Sequence, residues 1–281
     1  MIAVDLLEPY KYEFFRNGLL VAVIAGALCG LLGVFVVLRG MSYIGHGLSH
    51  AVFGGAAASA VMKVNYFLGA GIWGIVSGVL IGRISRKRVI GADAAIGVVT
   101  TGSFAVGLML LNRYGQAKRS IEAVLFGSVL GVQTADIVAV TAVAIGVLTI
   151  IVLGYRRLLY ATFDPEVARI SGVRVGAVEV LLMAMLSCTI IVTMRVIGTL
   201  LISALLVVPA ATTRLMTNSF ARMLTIAPIV GALSSFIGMN LAYHWDTSAS
   251  GTIIAVGVVA FAFVYAVGGI RSRSRIGHLH V

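Results

Sequence analysis

His46 and His50 are the residues best placed to do chemistry in this chain. They stand four apart within Gly40–Ser59, GMSYIGHGLSHAVFGGAAAS. In a helix that spacing puts both imidazoles on one face, one turn above the other. The stretch is long and apolar enough to lie in a membrane. A histidine in hydrocarbon is costly unless it meets protein, water or an ion. Neutral imidazole ligates divalent first-row metals, and it exchanges protons near neutral pH. Metal or proton handling is therefore the chemistry to test. The plainer role is hydrogen bonding within the fold, with Ser42, Tyr43 and Ser49 close enough in sequence to be partners. Gly45, Gly47, Gly54 and Gly55 keep side-chain bulk low, which suits a cavity or close packing.

The elements that must hold this pair are helices in lipid. The chain has 281 residues, 60% hydrophobic and 11% charged, with a mean hydropathy of +1.06. Apolar runs of about 20 residues, enough to cross a bilayer, recur along the whole length. The reading is all-α: one polytopic transmembrane bundle of eight or nine spans, a single domain over 1–281. Barrel strands would alternate apolar and polar residues over about 10 positions, and that pattern is absent. The spans run near 17–38, 42–62, 66–82, 92–111, 137–153, 177–194, 197–216, 223–243 and 252–269. Ile121–Val132 is apolar but too short to cross, so it reads as re-entrant or interfacial. The 33 glycines suit close helix packing in lipid.

The net charge of +11 does not point to nucleic acid. Arg83, Arg86, Lys87 and Arg88 sit between two spans, and Arg271, Arg273 and Arg275 follow the last. These are cytoplasmic anchors under the positive-inside rule. With that block inside, Arg39, Arg156, Arg157, Arg169, Arg174, Arg214 and Arg222 also fall inside. Arg113, Lys118, Arg119 and Arg195 fall outside, against the rule. His46 and His50 then lie roughly 10 to 17 Å along the helix from Arg39 at its inner end, at 1.5 Å per residue. The expected location is the bacterial inner membrane, and residues 271–281 form a basic cytoplasmic tail.

Other residues read more plainly. Asp93 suits the start of a helix, where backbone amides and the helix dipole favour a carboxylate. Cys29 and Cys188 read as small buried apolar residues. Pro209 lies inside a span and frees a backbone carbonyl, which marks a packing kink or a pore-lining helix. His244 and Asp246 belong to a short outer loop, and His278 and His280 to the tail. Between spans lies FDPEVARISG, an expected short amphipathic helix with Asp164 as N-cap and Pro165 in its first turn. Val167 and Ile170 are expected to line one side, with Glu166 and Arg169 more exposed. No Gly-x4-Gly-Lys-Ser/Thr loop occurs, so the chain does not use ATP in the P-loop manner by itself. No protease motif stands out either.

Taken together, these pieces resemble the permease subunits of manganese/zinc/iron ABC importers. The matching segments are VLRGMSYIGHGLSHAVFGGAA, ADAAIGVVTTGSFAVGLML, LFGSVLGV, FDPEVARISGV and VIGTLLISALLVVPAATTRL, in the family's order. The resemblance implies a transport subunit and not an enzyme. It implies a homodimeric path, a cytoplasmic ATPase dimer that holds the ATP, and an extracytoplasmic metal-binding protein. The transported ion is Mn(2+) or Zn(2+), with no permanently bound cofactor and with iron as a further cargo. The family's metal site maps onto His46 and His50, where many members carry Asp at the first position. The ATPase-docking loop maps onto 159–175, with Asp164, Glu166 and Arg169 as its contact residues. Manganese is favoured slightly over zinc. The alternative is a stand-alone secondary metal or proton-coupled transporter, for which Asp93, Glu122 and Glu179 are a thin set of membrane carboxylates. An intramembrane enzyme with a catalytic metal lacks a general base beside the pair.

Overall fold

The computed structural model describes residues 7–86, 92–114 and 131–277. Among these residues, ten α-helices follow a short 3-10 turn at Glu8–Lys11. They are α1 (Glu13–Leu38), α2 (Ile44–Met62), α3 (Tyr66–Arg86), α4 (Ala92–Tyr114), α5 (Thr134–Phe163), α6 (Pro165–Ile170), α7 (Val175–Ile197), α8 (Thr199–Met216), α9 (Phe220–His244) and α10 (Ala249–Gly277). No strand occurs among the described residues. Among the described residues six helices are long and apolar enough to cross a membrane: Glu13–Leu38, Ala94–Tyr114, Thr134–Phe163, Val175–Met194, Phe220–His244 and Ala249–Gly268. Leu68–Ile84 and Ile202–Met216 are shorter apolar helices. The segment expected to re-enter at 121–132 lies outside the described residues save its last two positions, as do Lys87, Arg88, His278 and His280.

The bundle is built around α1. Its buried residues run from Phe15 to Val36 and face all sides, as expected of a helix packed within a membrane protein. It packs on α9, α8, α5 and α7. Glycine sets the closest approaches: a Cβ on Gly26 would strike Gly231 and Ser235 of α9, and one on Gly33 would strike the Leu206 carbonyl of α8. Small residues at such crossings let backbones meet, which is how helices gain packing energy where lipid removes the hydrophobic drive. Outward positions are apolar instead, such as Leu153 at 83% exposure and Val259 at 68%. That surface suits acyl chains.

The turn from α1 to α2 fixes where the histidines land. Gly40 is left-handed (φ 64°), and the Met41 amide donates to Val36 O while the Gly40 amide donates to Val37 O. This pair of bonds closes the last carbonyls of α1, and only a residue without Cβ enters that conformation freely. The same device ends α6, where the amide of Gly172 (φ 78°) donates to Arg169 O and that of Val173 to Ala168 O.

Helix α5 overturns one expected boundary. Instead of stopping near Leu153 it runs 30 residues to Phe163. At 1.5 Å per residue that is roughly 45 Å, longer than a hydrocarbon core of about 30 Å. Its final turns, with Arg156 and Arg157, extend past the apolar segment and carry α6. The polar residues there are compatible with helix, so charge marks the edge of the membrane and not of the helix.

Candidate functional site

Helices α2 and α4 form the histidine site. Gly47 is the contact that permits it: a Cβ there would meet Ile96 Cγ2 and Thr100 Cγ2 of α4. Gly54 and Gly107 repeat the close approach further along the same seam. His46 and His50 do share one face, with ring centroids 4.6 Å apart and planes at 79°. The Phe104 ring of α4 stands edge-on to His50 at 5.2 Å and packs on Phe53 at 5.1 Å. Both imidazoles and Phe104 border a cavity of about 400 Å³, lined also by Tyr43, Thr100 and Thr101.

The plain hydrogen-bonding role is weakened by the geometry. The Ser49 hydroxyl donates to the carbonyl of His46 at 2.8 Å and not to an imidazole. His50 Nδ1 is buried without a hydrogen-bond partner among the described residues. A buried polar nitrogen left this way costs stability unless something else meets it. His46 is exposed on this chain and His50 half-buried, so the cavity opens away from the bundle. No group of three or more His, Cys, Asp or Glu side chains converges among the described residues. One chain therefore offers two imidazoles and nearby hydroxyls, a set that leaves a metal's coordination incomplete.

Thr100, Thr101 and Phe104 were not singled out from sequence. Adjacent threonines in an otherwise apolar span were the available signal. Asp93 is the second residue of α4. His244 ends α9 and bonds through Nδ1 to Asn240 O at 2.8 Å, which gives it a partner inside its own helix. Asp246 follows with φ 49°. Neither joins the histidine pair within the cavity lining.

Helix α6 is a second candidate surface. Asp164 caps it as expected: its Oδ1 accepts from the amides of Glu166 at 3.0 Å and Val167 at 2.9 Å. Glu166 and Arg169 are exposed. The expected apolar side is not the anchor, because Ile170 is 87% exposed and Val167 46%, whereas Ala168 is fully buried. Six residues make fewer than two turns, so one small side chain suffices to seat the helix and leaves two large apolar residues available outside. Behind it Phe220 meets Phe35, Tyr155 and Phe163, with centroids 5.6 to 5.7 Å apart. That aromatic cluster ties α1, α5 and α9 directly beneath the docking candidate.

Cys29 is buried, as expected, but Cys188 is exposed on the outer face of α7. A thiol is apolar enough to face lipid as readily as protein. Pro209 lies inside α8, and Pro228 lies inside α9 as well.

Comparison with known proteins agrees with this architecture. A model of the ABC 3 transport family matches residues 11–268. The "Manganese transport system membrane protein MntC" of Listeria monocytogenes is 34% identical over 258 residues, covering 91% of this chain and 92% of that protein. A Haemophilus influenzae protein named "Probable iron transport system membrane protein" is 34% identical over 268 residues, covering 95% and 98%. The solved structure of PsaBC from Streptococcus pneumoniae in complex with Fab superposes with a TM-score of 0.83 at 33% identity, over 94% of this chain and 95% of that one. With its apolar helices, the chain is a multi-pass transport subunit of the bacterial cell membrane, and it belongs to the ABC 3 transport family.

Proposed function

We propose that this chain is the permease of an ATP-driven importer of divalent transition-metal ions. Manganese is favoured slightly over zinc, with iron as a further cargo. The observation that carries the reading is the histidine pair: two rings 4.6 Å apart border a cavity, and one buried nitrogen has no partner among the described residues. His46 and His50 bind the ion in transit. Two protein ligands suit release better than a closed set of four. The cavity opens away from the bundle, which supports a second copy completing the site and the path as a homodimer. Likeness to relatives named for manganese transport, such as MntC, supports the cargo class.

Residues 159–175 form the docking loop for a separate cytoplasmic ATPase dimer, with Asp164, Glu166 and Arg169 at its centre. The capped, exposed α6 on its aromatic base supports that role. An extracytoplasmic metal-binding protein delivers the ion, and residues 271–281 form a cytoplasmic tail. Counting α2, α3 and α8 with the six longest apolar helices gives nine spans, or eight if two form one broken crossing. Uptake of radiolabelled manganese by the reconstituted complex tests the site. His50→Ala is expected to abolish most of it, and undiminished uptake would remove the pair from the path.

A further inference from the structure

We propose that a cleft between α3 and α7 is a binding site for one anionic phospholipid, with its phosphodiester on Arg83 and Arg39. The cleft has a volume of about 850 Å³ and is lined by the end of α1, the last turns of α3 and the first turns of α7. That size falls in the usual range for ligand pockets, about 300–1,000 Å³. Its walls are mainly apolar, from Val79, Leu181 and Met183 among others, and Gly78 lets α3 approach Met183 closely. Arg39 and Arg83 both border it. Arg83 is exposed. Arg39 is held in place by Ala161 O at 3.3 Å and Thr162 Oγ1 at 3.4 Å.

The exposed face of α3 beside the cleft, which shares only Arg83 with its lining, gives the cleft its occupant. Ile72, Val76, Leu80 and Arg83 follow one another at spacings of four, four and three, so they form one row along the helix. The three apolar members are 63%, 51% and 45% exposed. From Ile72 to Arg83 the helix rises roughly 16 Å, half of a hydrocarbon core of about 30 Å. An apolar track one leaflet long that ends in a guanidinium matches an acyl chain ending in a phosphate. Val180 and Leu181 of α7, 43% and 38% exposed, supply the opposite bank. Basic pockets between membrane helices on the cytoplasmic side commonly take anionic headgroups. Glu179 also lines the cleft, with Oε2 facing Gly82. Among the described lining residues one carboxylate stands against two guanidiniums, a balance that suits a singly charged phosphodiester. The assignment rests on the fold and the membrane setting, and it is independent of which ion is transported.

Native mass spectrometry of the full-length chain, purified in mild detergent and titrated with phosphatidylglycerol, tests the site. One phosphatidylglycerol per copy is expected to be retained, ahead of phosphatidylethanolamine of the same chains, and inorganic phosphate is not expected to displace it. Arg83→Glu should lower that retention at least about tenfold, through loss and reversal of one charge contact, and Arg83→Lys should restore most of it. Equal retention of the two lipids, displacement by phosphate alone, or unchanged retention in R83E would overturn the proposal. The wild-type lipid comparison decides the question even if R83E does not fold. A Val180→Cys chain carrying Cys188→Ser should form no disulfide-linked pair on oxidation. A disulfide-linked pair would show a second copy covering the cleft, and would also overturn it.

Discussion

The Arg39 guanidinium reaches Thr162, 123 residues away in sequence, with Nη2 donating to its hydroxyl at 3.4 Å and to the neighbouring Ala161 carbonyl at 3.3 Å. Arg39 is the cap of α1, immediately before the Gly40 turn that launches the histidine helix. Thr162 lies two residues before Asp164, which caps α6. One side chain thus joins the start of the proposed metal helix to the start of the proposed docking helix. Arg39→Ala should leave the ATPase bound but lower metal uptake per ATP hydrolysed, by about threefold to tenfold if a hydrogen bond to a charged group of ~1.5 kcal/mol is lost. Parallel assays of ATP hydrolysis and uptake in the same vesicles check this. An unchanged ratio would remove Arg39 from the coupling.

The histidine pair makes a selectivity prediction. Two imidazoles favour zinc over manganese more than a carboxylate with one imidazole does, because hard oxygen donors suit manganese. His46→Asp should therefore shift uptake toward manganese in a manganese–zinc competition, while His50→Ala should reduce uptake of both at least about tenfold, having removed one of two ligands from the chain.

Packing at Gly47 predicts a stability cost. Gly47→Val places branched carbons against Ile96 and Thr100. Overpacking of this kind costs about 1–3 kcal/mol. Thermal unfolding of the purified chain in detergent should show a lower midpoint, with Gly97→Ala as the control, since nothing stands within 4 Å of that position.

The cap of α6 can be removed without touching its exposed face. Asp164→Ala withdraws the acceptor from two amides, at about 1 kcal/mol. The double change Glu166→Arg and Arg169→Glu keeps the cap but reverses the surface charges. Co-purification of the ATPase should weaken modestly with the first and fail with the second. Normal co-purification and uptake in the double variant would dismiss the docking role.

Most helices were legible because lipid imposes one rule on them. A span must satisfy its own backbone and present apolar side chains, so hydropathy marks α1, α4, α7 and α9 to within a few residues, whereas α10 runs on to Gly277, past the expected end at 269. The end of α5 was not legible, because Arg156 and Arg157 signal the membrane boundary while the helix continues. The histidine face followed from the four-residue spacing alone. Its neighbours did not. Thr100 and Phe104 reach the cavity through the α2–α4 crossing, and a crossing depends on which glycines face each other, here Gly47, Gly54 and Gly107. For α6, amphipathic spacing suggested Val167 and Ile170 as anchors, yet Ala168 is the buried one. In a helix this short the entry and exit turns, through Asp164 and Gly172, set the orientation before side-chain hydrophobicity can.

The glycine seam between α2 and α4 also bears on how such a bundle can move. Where Gly54 lies against Ser103 and Gly107, the two helices touch backbone to backbone with few side chains interlocked. Knobs seated in holes resist sliding, because each must climb a ridge to reach the next hole. A smooth seam presents little of that ratchet. Axial shear, the small sliding of packed helices, is then the displacement this contact opposes least. Sliding α2 by a single residue rise of about 1.5 Å would move both imidazoles along the threonines of α4.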